Sequence, residues 1–453
     1  MDSWRIGVST QTPLVRWGTH TVEPEIDMGT GMVGRLRQFH VSPGGVSRMV
    51  LQSLRAWQAT GRLREAHWFS LQPQGPERLR LEEMPVELHH LRMPPDELAS
   101  YSRVKEKLWA DIHGLGVPHL DVEDFRAFMA YNFATSDAIL AQAPDLDAVY
   151  VHDFQLLQVG AMVGLAAPCV LRWHVPFDPK RMPKYTRNFL RRMMESYDAV
   201  IVSTRRDLEG LTNTGFRGTV RQIYPHTEPS DWLPPPAAAA QAFEDNTGLR
   251  VNEPVVLCVA RMDPMKRQDL LLQAMALLRH RHPLARTVLV GNGSFSGSKA
   301  HGLGLSKADR WRQHLEQTAK ELGILDRVTF TGWMPDDLVA AAYARADVLV
   351  LASDIEGFGL TPFEAWGYRK PCIVTTGCGA SEVVQDGLTG YSVPPDDPQA
   401  MADALDKVLS QPEQAMRMGE AGRIALRGFT AGGAAEAEWG VLEEARRAFR
   451  RSS

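Results

Sequence analysis

Ala346-Asp347-Val348-Leu349-Val350-Leu351-Ala352-Ser353, followed shortly by Glu356-Gly357-Phe358-Gly359-Leu360-Thr361-Pro362-Phe363-Glu364, reads as strand, turn and helix. The first run is apolar without alternation, the pattern of a parallel strand buried on both faces. Thr361 suits a helix cap, and Pro362 suits the first helical turn, where no amide hydrogen is needed. Two carboxylates, Glu356 and Glu364, therefore flank a glycine turn that opens onto a helix start. Unpaired N–H groups there suit a phosphate, and Gly357 and Gly359 allow close approach to the backbone of Gly357, Phe358, Gly359 and Leu360. A sugar nucleotide, with hydroxyls at both ends and a diphosphate between, matches that order. Thr361-x-x-Glu364 is equally the pattern of a capping box, and both readings of Glu364 stand at this point.

Outward from this stretch, short apolar runs alternate with helical patterns, which predicts a parallel α/β architecture. The expected strands of the first half are 5–9, 148–152, 169–174 and 199–203; those of the second are 254–260, 287–291, 327–331, 348–352 and 371–374. Between them, Pro234-Pro235-Pro236 stops helix and sheet alike and marks a linker at 229–249. The expected division is a first domain at 1–228 and a second at 250–433, which the resemblance given below implies to be acceptor-binding and nucleotide-sugar-binding respectively. Both are expected to be doubly wound and Rossmann-like, facing across a cleft with ligand at the strands' carboxyl ends.

The 453 residues exceed one ordinary core. With 44% hydrophobic and 23% charged residues, the chain is globular rather than disordered, and its net charge of -4 leaves no basic footprint for nucleic acid. The N-terminus lacks a signal-peptide core, and the longest apolar stretch, 156–171, is too short to span a bilayer, so a cytoplasmic protein is expected. Cys169, Cys258, Cys372 and Cys378 are widely spaced and read as buried thiols.

Arg261 and Lys266 follow the strand 254–260, around Pro264; two cations at a strand end suit a diphosphate leaving group. Gly44-Gly45 precedes a helical pattern at 47–57 and offers backbone amides to a diphosphate or an acceptor. His152-Asp153 and His174 close neighbouring strands. Asp145-Leu146-Asp147 has a metal-binding look but precedes a strand, so loop acids are expected there. No Cys/His group has zinc spacing, and no essential metal or other cofactor is expected. The basic stretch 180–192 reads as a solvated helix face, with a phosphorylated acceptor or an anionic membrane as the alternatives.

Glu356-x7-Glu364 with Arg261 and Lys266 resembles the retaining glycosyltransferases of family 4, which have the GT-B fold. Gly44-Gly45-Val46, His152-Asp153, Trp173-His174-Val175-Pro176-Phe177 and Ile223-Tyr224-Pro225 bring it closest to glycosyltransferring trehalose synthases. The resemblance implies that Glu356 and His174 meet the donor sugar, Glu364 the ribose, Asp153 the acceptor, and Arg261 and Lys266 the diphosphate. It also implies a last helix, about 434–453, that returns to the first domain. The implied activity is hexosyl transfer, of glucose, from a nucleoside diphosphate sugar to an acceptor hydroxyl with retention, as in trehalose synthesis. Phe154 stands where those enzymes favour Pro, and His226-Thr227-Glu228 replaces Ser-Ile-Asp, which leaves the acceptor open. A phosphorylase of the same fold and a non-catalytic sugar-nucleotide-binding module are the alternatives. The nucleotide base and oligomeric state are not legible.

Overall fold

The computed structural model describes residues 3–17, 25–27, 31–42, 45–116, 120–228, 232–291 and 303–452. The chain divides into two compact units, Met1–His226 with Ala431–Ser453, and Thr227–Thr430.

The strands of the first unit are β1 (Trp4–Thr10), β2 (Val15–Arg16), β3 (Glu25–Asp27), β4 (Gly31–Gly34), β5 (His40–Val41) and β6 (Leu63–Leu71). They continue with β7 (Arg78–Leu81), β8 (Val86–Leu91), β9 (Ala148–His152), β10 (Cys169–Arg172), β11 (Ala199–Val202) and β12 (Val220–Gln222). Their main sheet runs β12-β11-β10-β9-β1-β6-β8-β7-β4-β3, parallel from β12 through β8. β7 joins antiparallel at β8. Side chains alternate between two cores. Phe69, Val149, Val151 and Leu171 face helices Pro95–Ile112 and Val122–Leu140, while Trp68, Tyr150 and Val170 face the opposite layer. In that second layer helix Ala431–Ser452 packs on helix Gly45–Ala59: Trp57 Nε1 donates to the Ala435 carbonyl at 2.8 Å, and Trp439 lies against Trp4.

The second unit holds β13 (Val255–Val259), β14 (Arg286–Val290), β15 (Val328–Gly332), β16 (Val348–Leu351), β17 (Cys372–Thr375) and β18 (Gly390–Val393). They form a parallel sheet in the order β15-β14-β13-β16-β17-β18. This is the doubly wound order in which the winding direction reverses once, between β13 and β16. Val256, Cys258, Leu289, Val350 and Ile373 build its core with helices Gln268–Leu277 and Pro398–Ser410.

The expected strands fall within one or two residues of the observed ones. The expected linker 229–249 differs: 229–231 lie outside the described residues, and Ala237–Thr247 is a helix of the second unit that buries Ala239 and Phe243. Four alanines directly after three prolines favour a helix start, because proline is well placed just before the first turn. Among the described residues no helix is long and apolar enough to cross a membrane; 156–171 is a short helix, Val159–Val163, leading into β10.

Candidate active site

In the second unit the two loops at the reversal point carry the predicted charges. After β13, Asp263 Oδ1 accepts from the Met265 amide at 3.1 Å and shapes the 3₁₀ turn Pro264–Lys266. After β16, the Asp354 amide donates to the Met265 carbonyl at 2.9 Å, the Glu356 amide to the Gly377 carbonyl at 3.1 Å, and the Ala380 amide to the Phe358 carbonyl at 2.8 Å. Three loops are thereby stitched into one rigid rim. Across it the Lys266 ammonium pairs with the Glu356 carboxylate, which also accepts from Ser353 Oγ at 3.3 Å. Arg261 is held through its carbonyl, which accepts from Gln268 Nε2 at 2.8 Å, and no carboxylate among the described residues lies within ion-pair distance of its guanidinium. Gly359 has φ +88°, and a Cβ there would collide with the Leu351 side chain, so the turn requires glycine.

Thr361 is not the helix cap. Helix Thr361–Gly367 has Leu360 at its cap position with no side-chain cap bond, and Thr361 Oγ1 is buried without a partner. The capping-box reading of Glu364 falls with it, because a threonine already inside the helix cannot accept from its third residue. Glu364 instead accepts from the Tyr343 hydroxyl, which burial and that carboxylate push well above the ordinary tyrosine range. Phe358 is buried against Phe363, ring centroids 4.9 Å apart, so its contribution to the turn is its backbone. The helix that follows the turn is only seven residues long.

In the first unit the sheet reverses between β1 and β9, and His152 ends β9. Its Nδ1 lies 3.0 Å from His174 Nε2, with the rings stacked at 12°. Burial, followed by the charge of Arg172, lowers His152 to about 3; burial and then His152 push His174 well down. Both rings are therefore neutral near pH 7 and share one N–H between them. Asp153 follows at φ 72°, ψ 176°, a region otherwise left to glycine, at a cost of about 1–3 kcal/mol. Burial raises its carboxyl to about 7 against hydrogen bonds from the His174, Phe154 and Val175 amides. Beneath them Arg172 is fully buried, with Nη2 on the Ile223 carbonyl at 2.9 Å and Glu438 at 3.9 Å. Gly44 lies outside the described residues; Gly45 is the first residue of helix Gly45–Ala59.

Asp147 accepts from the Arg5 amide at 2.9 Å and pairs with Arg446, so the acidic pair fastens the amino end of β9. The basic stretch forms helix Lys184–Met194, with Arg191 on Glu195 and the Tyr185 ring 60% exposed. The four cysteines are buried thiols outside any disulfide. Sequence reading missed one chemical cluster, His67, Glu87 and His89, which β6 and β8 bring together. Its one sequence signal is Glu87-x-His89, two ionisable groups at strand spacing on a single face.

Residues 240–425 match the family model Glycosyl transferases group 1, and residues 95–208 match Trehalose synthase, N-terminal domain. The chain is 30% identical over 245 residues to a GDP-mannose-dependent alpha-(1-6)-phosphatidylinositol monomannoside mannosyltransferase of Mycolicibacterium smegmatis, covering 52% of this chain and 59% of that protein. The chain thus spans about half the length of the curated relatives it matches. Sucrose-phosphate synthase from Thermosynechococcus elongatus superposes with a TM-score of 0.72 at 20% identity, over 98% of this chain and 100% of the other. A solved structure described as trehalose-6-phosphate from E. coli bound with UDP-2-fluoro glucose gives 0.75 at 15%, over 97% and 98%. The fold is GT-B, with two Rossmann-like domains, and the chain is similar over residues 240–425 to group 1 glycosyltransferases and over residues 95–208 to the N-terminal domain of trehalose synthase.

Proposed function

We propose that this protein transfers glucose from a nucleoside diphosphate glucose to a hydroxyl of a small sugar, retaining the anomeric configuration. The observation that carries this reading is the Lys266–Glu356 pair, set by two loops at the reversal point of the second sheet, with Arg261 in the same loop as Lys266. Loops at that point are where doubly wound sheets bind ligands. A diphosphate draws Lys266 and Arg261 to itself and releases the Glu356 carboxylate toward sugar hydroxyls. Glu364, steadied by Tyr343, takes the ribose hydroxyls.

In the reaction the bond from the anomeric carbon to the diphosphate oxygen breaks, and the acceptor oxygen bonds to the same carbon on the same face. The acceptor proton passes to the departing diphosphate, so no side-chain base is needed. Lys266, Arg261 and the Gly357–Leu360 amides stabilise the charge that develops on the leaving group. Asp153 is assigned to an acceptor hydroxyl and His174 to the donor sugar. No metal is assigned to the chemistry, since the two cations supply the positive charge.

The trehalose synthase match supports a small-sugar acceptor, and the UDP-2-fluoro glucose neighbour supports a glucosyl donor. The test is nucleoside diphosphate release from UDP-, ADP- and GDP-linked glucose and from GDP-mannose, with free and phosphorylated sugars as acceptors. Acceptor-dependent release from a glucosyl donor is expected. Turnover only with inorganic phosphate, or none with any donor that binds, would overturn the reading.

A further inference from the structure

β6 and β8 run parallel with His67 opposite Glu87 and Phe69 opposite His89, so strand periodicity places Glu65, His67, Glu87 and His89 on one face. β7 adds Arg78 opposite His89 and Arg80 opposite Glu87. Toward the strands' carboxyl ends this face is apolar, through Phe69 and Leu71. Toward their amino ends it is ionisable and still covered: His67 is 7% exposed, Glu87 2% and His89 9%. Burying three such groups is unfavourable unless they serve one another or a shared ligand.

Their donor atoms converge. His67 Nδ1 lies 3.0 Å from His89 Nε2, and each lies 3.5 Å from the same oxygen, Glu87 Oε2. A tetrahedral ion with bonds of about 2.0–2.1 Å has ligand–ligand edges of about 3.3–3.4 Å, the scale of this triangle. The outer groups also fit. Arg78 bonds both Glu87 oxygens, at 2.9 and 2.8 Å, fixing the carboxylate. Glu65 Oε2 stands 3.9 Å from His67 Nε2, on the side away from the triangle, and is anchored by Arg5 at 3.2 Å. Phe69 stacks on the His89 ring with centroids 4.6 Å apart. Carboxylates behind a histidine and fixed ring planes are how metal ligands are oriented.

We propose that His67, Glu87 and His89 bind one borderline divalent transition cation, zinc in type, that ties β6 to β8. Without the cation, one proton must sit between the two imidazole nitrogens; the cation takes its place, and water fills the fourth position. Two imidazoles and a single carboxylate select zinc, cobalt, nickel or copper over magnesium and calcium. The triangle sits on the strand bodies, while His152 and His174 stand at strand ends, so the ion is structural and the transfer chemistry does not use it.

The test is equilibrium dialysis of the chelator-stripped full chain against zinc, with thermal melts, and the visible spectrum of the cobalt-loaded protein. The expected result is one ion per chain, a Tm raised by zinc but not by magnesium or calcium, and four-coordinate cobalt absorption. His89→Ala and His67→Asn should lose the ion, while His174→Asn, which removes the other histidine pair, should keep it. No stoichiometric zinc in the parent, or the same zinc binding in both site variants, overturns the proposal. Should those variants fail to fold, the parent's cobalt spectrum decides: absorption of tetrahedral strength supports the site, and its absence refutes it.

Discussion

At the residue scale, each proposed role of a charged group separates from its part in stability. Lys266→Ala and Arg261→Ala should each reduce turnover by about 100-fold or more, with small changes in Tm, because each removes a charge-stabilising donor from a loop fixed by backbone bonds. Near-normal steady-state rates in both would remove the diphosphate assignment. Glu364→Gln should fold normally and weaken nucleotide binding, whereas Glu356→Gln should lower turnover and leave nucleoside diphosphate affinity close to the parent's. Calorimetry beside kinetics checks both, and unchanged nucleotide affinity in Glu364→Gln would reduce that residue to a partner of Tyr343. Asp153 makes a pH prediction. Its carboxyl is raised from 3.8 to about 7 by burial, so its contribution to stability is complete below about pH 4 and is lost as pH rises through 7. Asparagine does not titrate, and the Tm of Asp153→Asn relative to the parent should therefore be more favourable at pH 8 than at pH 5. The neighbouring histidines titrate alike in both proteins and cancel. An equal difference at the two pH values would show that Asp153 ionises normally.

At the element scale, the central strands of both sheets were legible, because strands buried on two faces read as continuous apolar runs, as in Val348–Leu351. β6 and β8 were not: Arg64, Glu65 and His67, and then Glu87, His89 and His90, interrupt the apolar signal, and the reason is the ionisable cluster they share. β18 is four residues, Gly390–Val393, with a glycine at its start, too short to separate from a turn. The candidate site was legible where charge follows a strong strand, as at Lys266 and Glu356. It was not legible at Thr361, since cap and first helical turn differ by one residue and only backbone geometry distinguishes them. The returning helix Ala431–Ser452 carries the element-scale prediction. Its Glu438, 2% exposed, accepts from Ser53 Oγ at 2.8 Å and faces the fully buried Arg172. Glu438→Ala leaves that guanidinium uncompensated and should cost about 3–5 kcal/mol by chemical denaturation. A loss under about 1 kcal/mol would mean that the carbonyls around Arg172 suffice without the carboxylate.

At the scale of the whole molecule, one chain combines two doubly wound sheets, each with its candidate-site residues near the strand ends where its winding reverses. The second unit supplies the carboxylates and cations of the donor reading, and the first supplies a neutral histidine pair beside a strained aspartate. That division suits a transferase that must hold a charged leaving group and a neutral acceptor. The claim beneath all of it is retention through a leaving diphosphate, and the product's anomeric centre reports on it directly. The decisive measurement is proton NMR of the reaction with an α-linked nucleoside diphosphate glucose and the acceptor that the release assay identifies, followed from the first turnover. The account predicts an α-linked product formed in step with free nucleoside diphosphate. A β-linked product would contradict it.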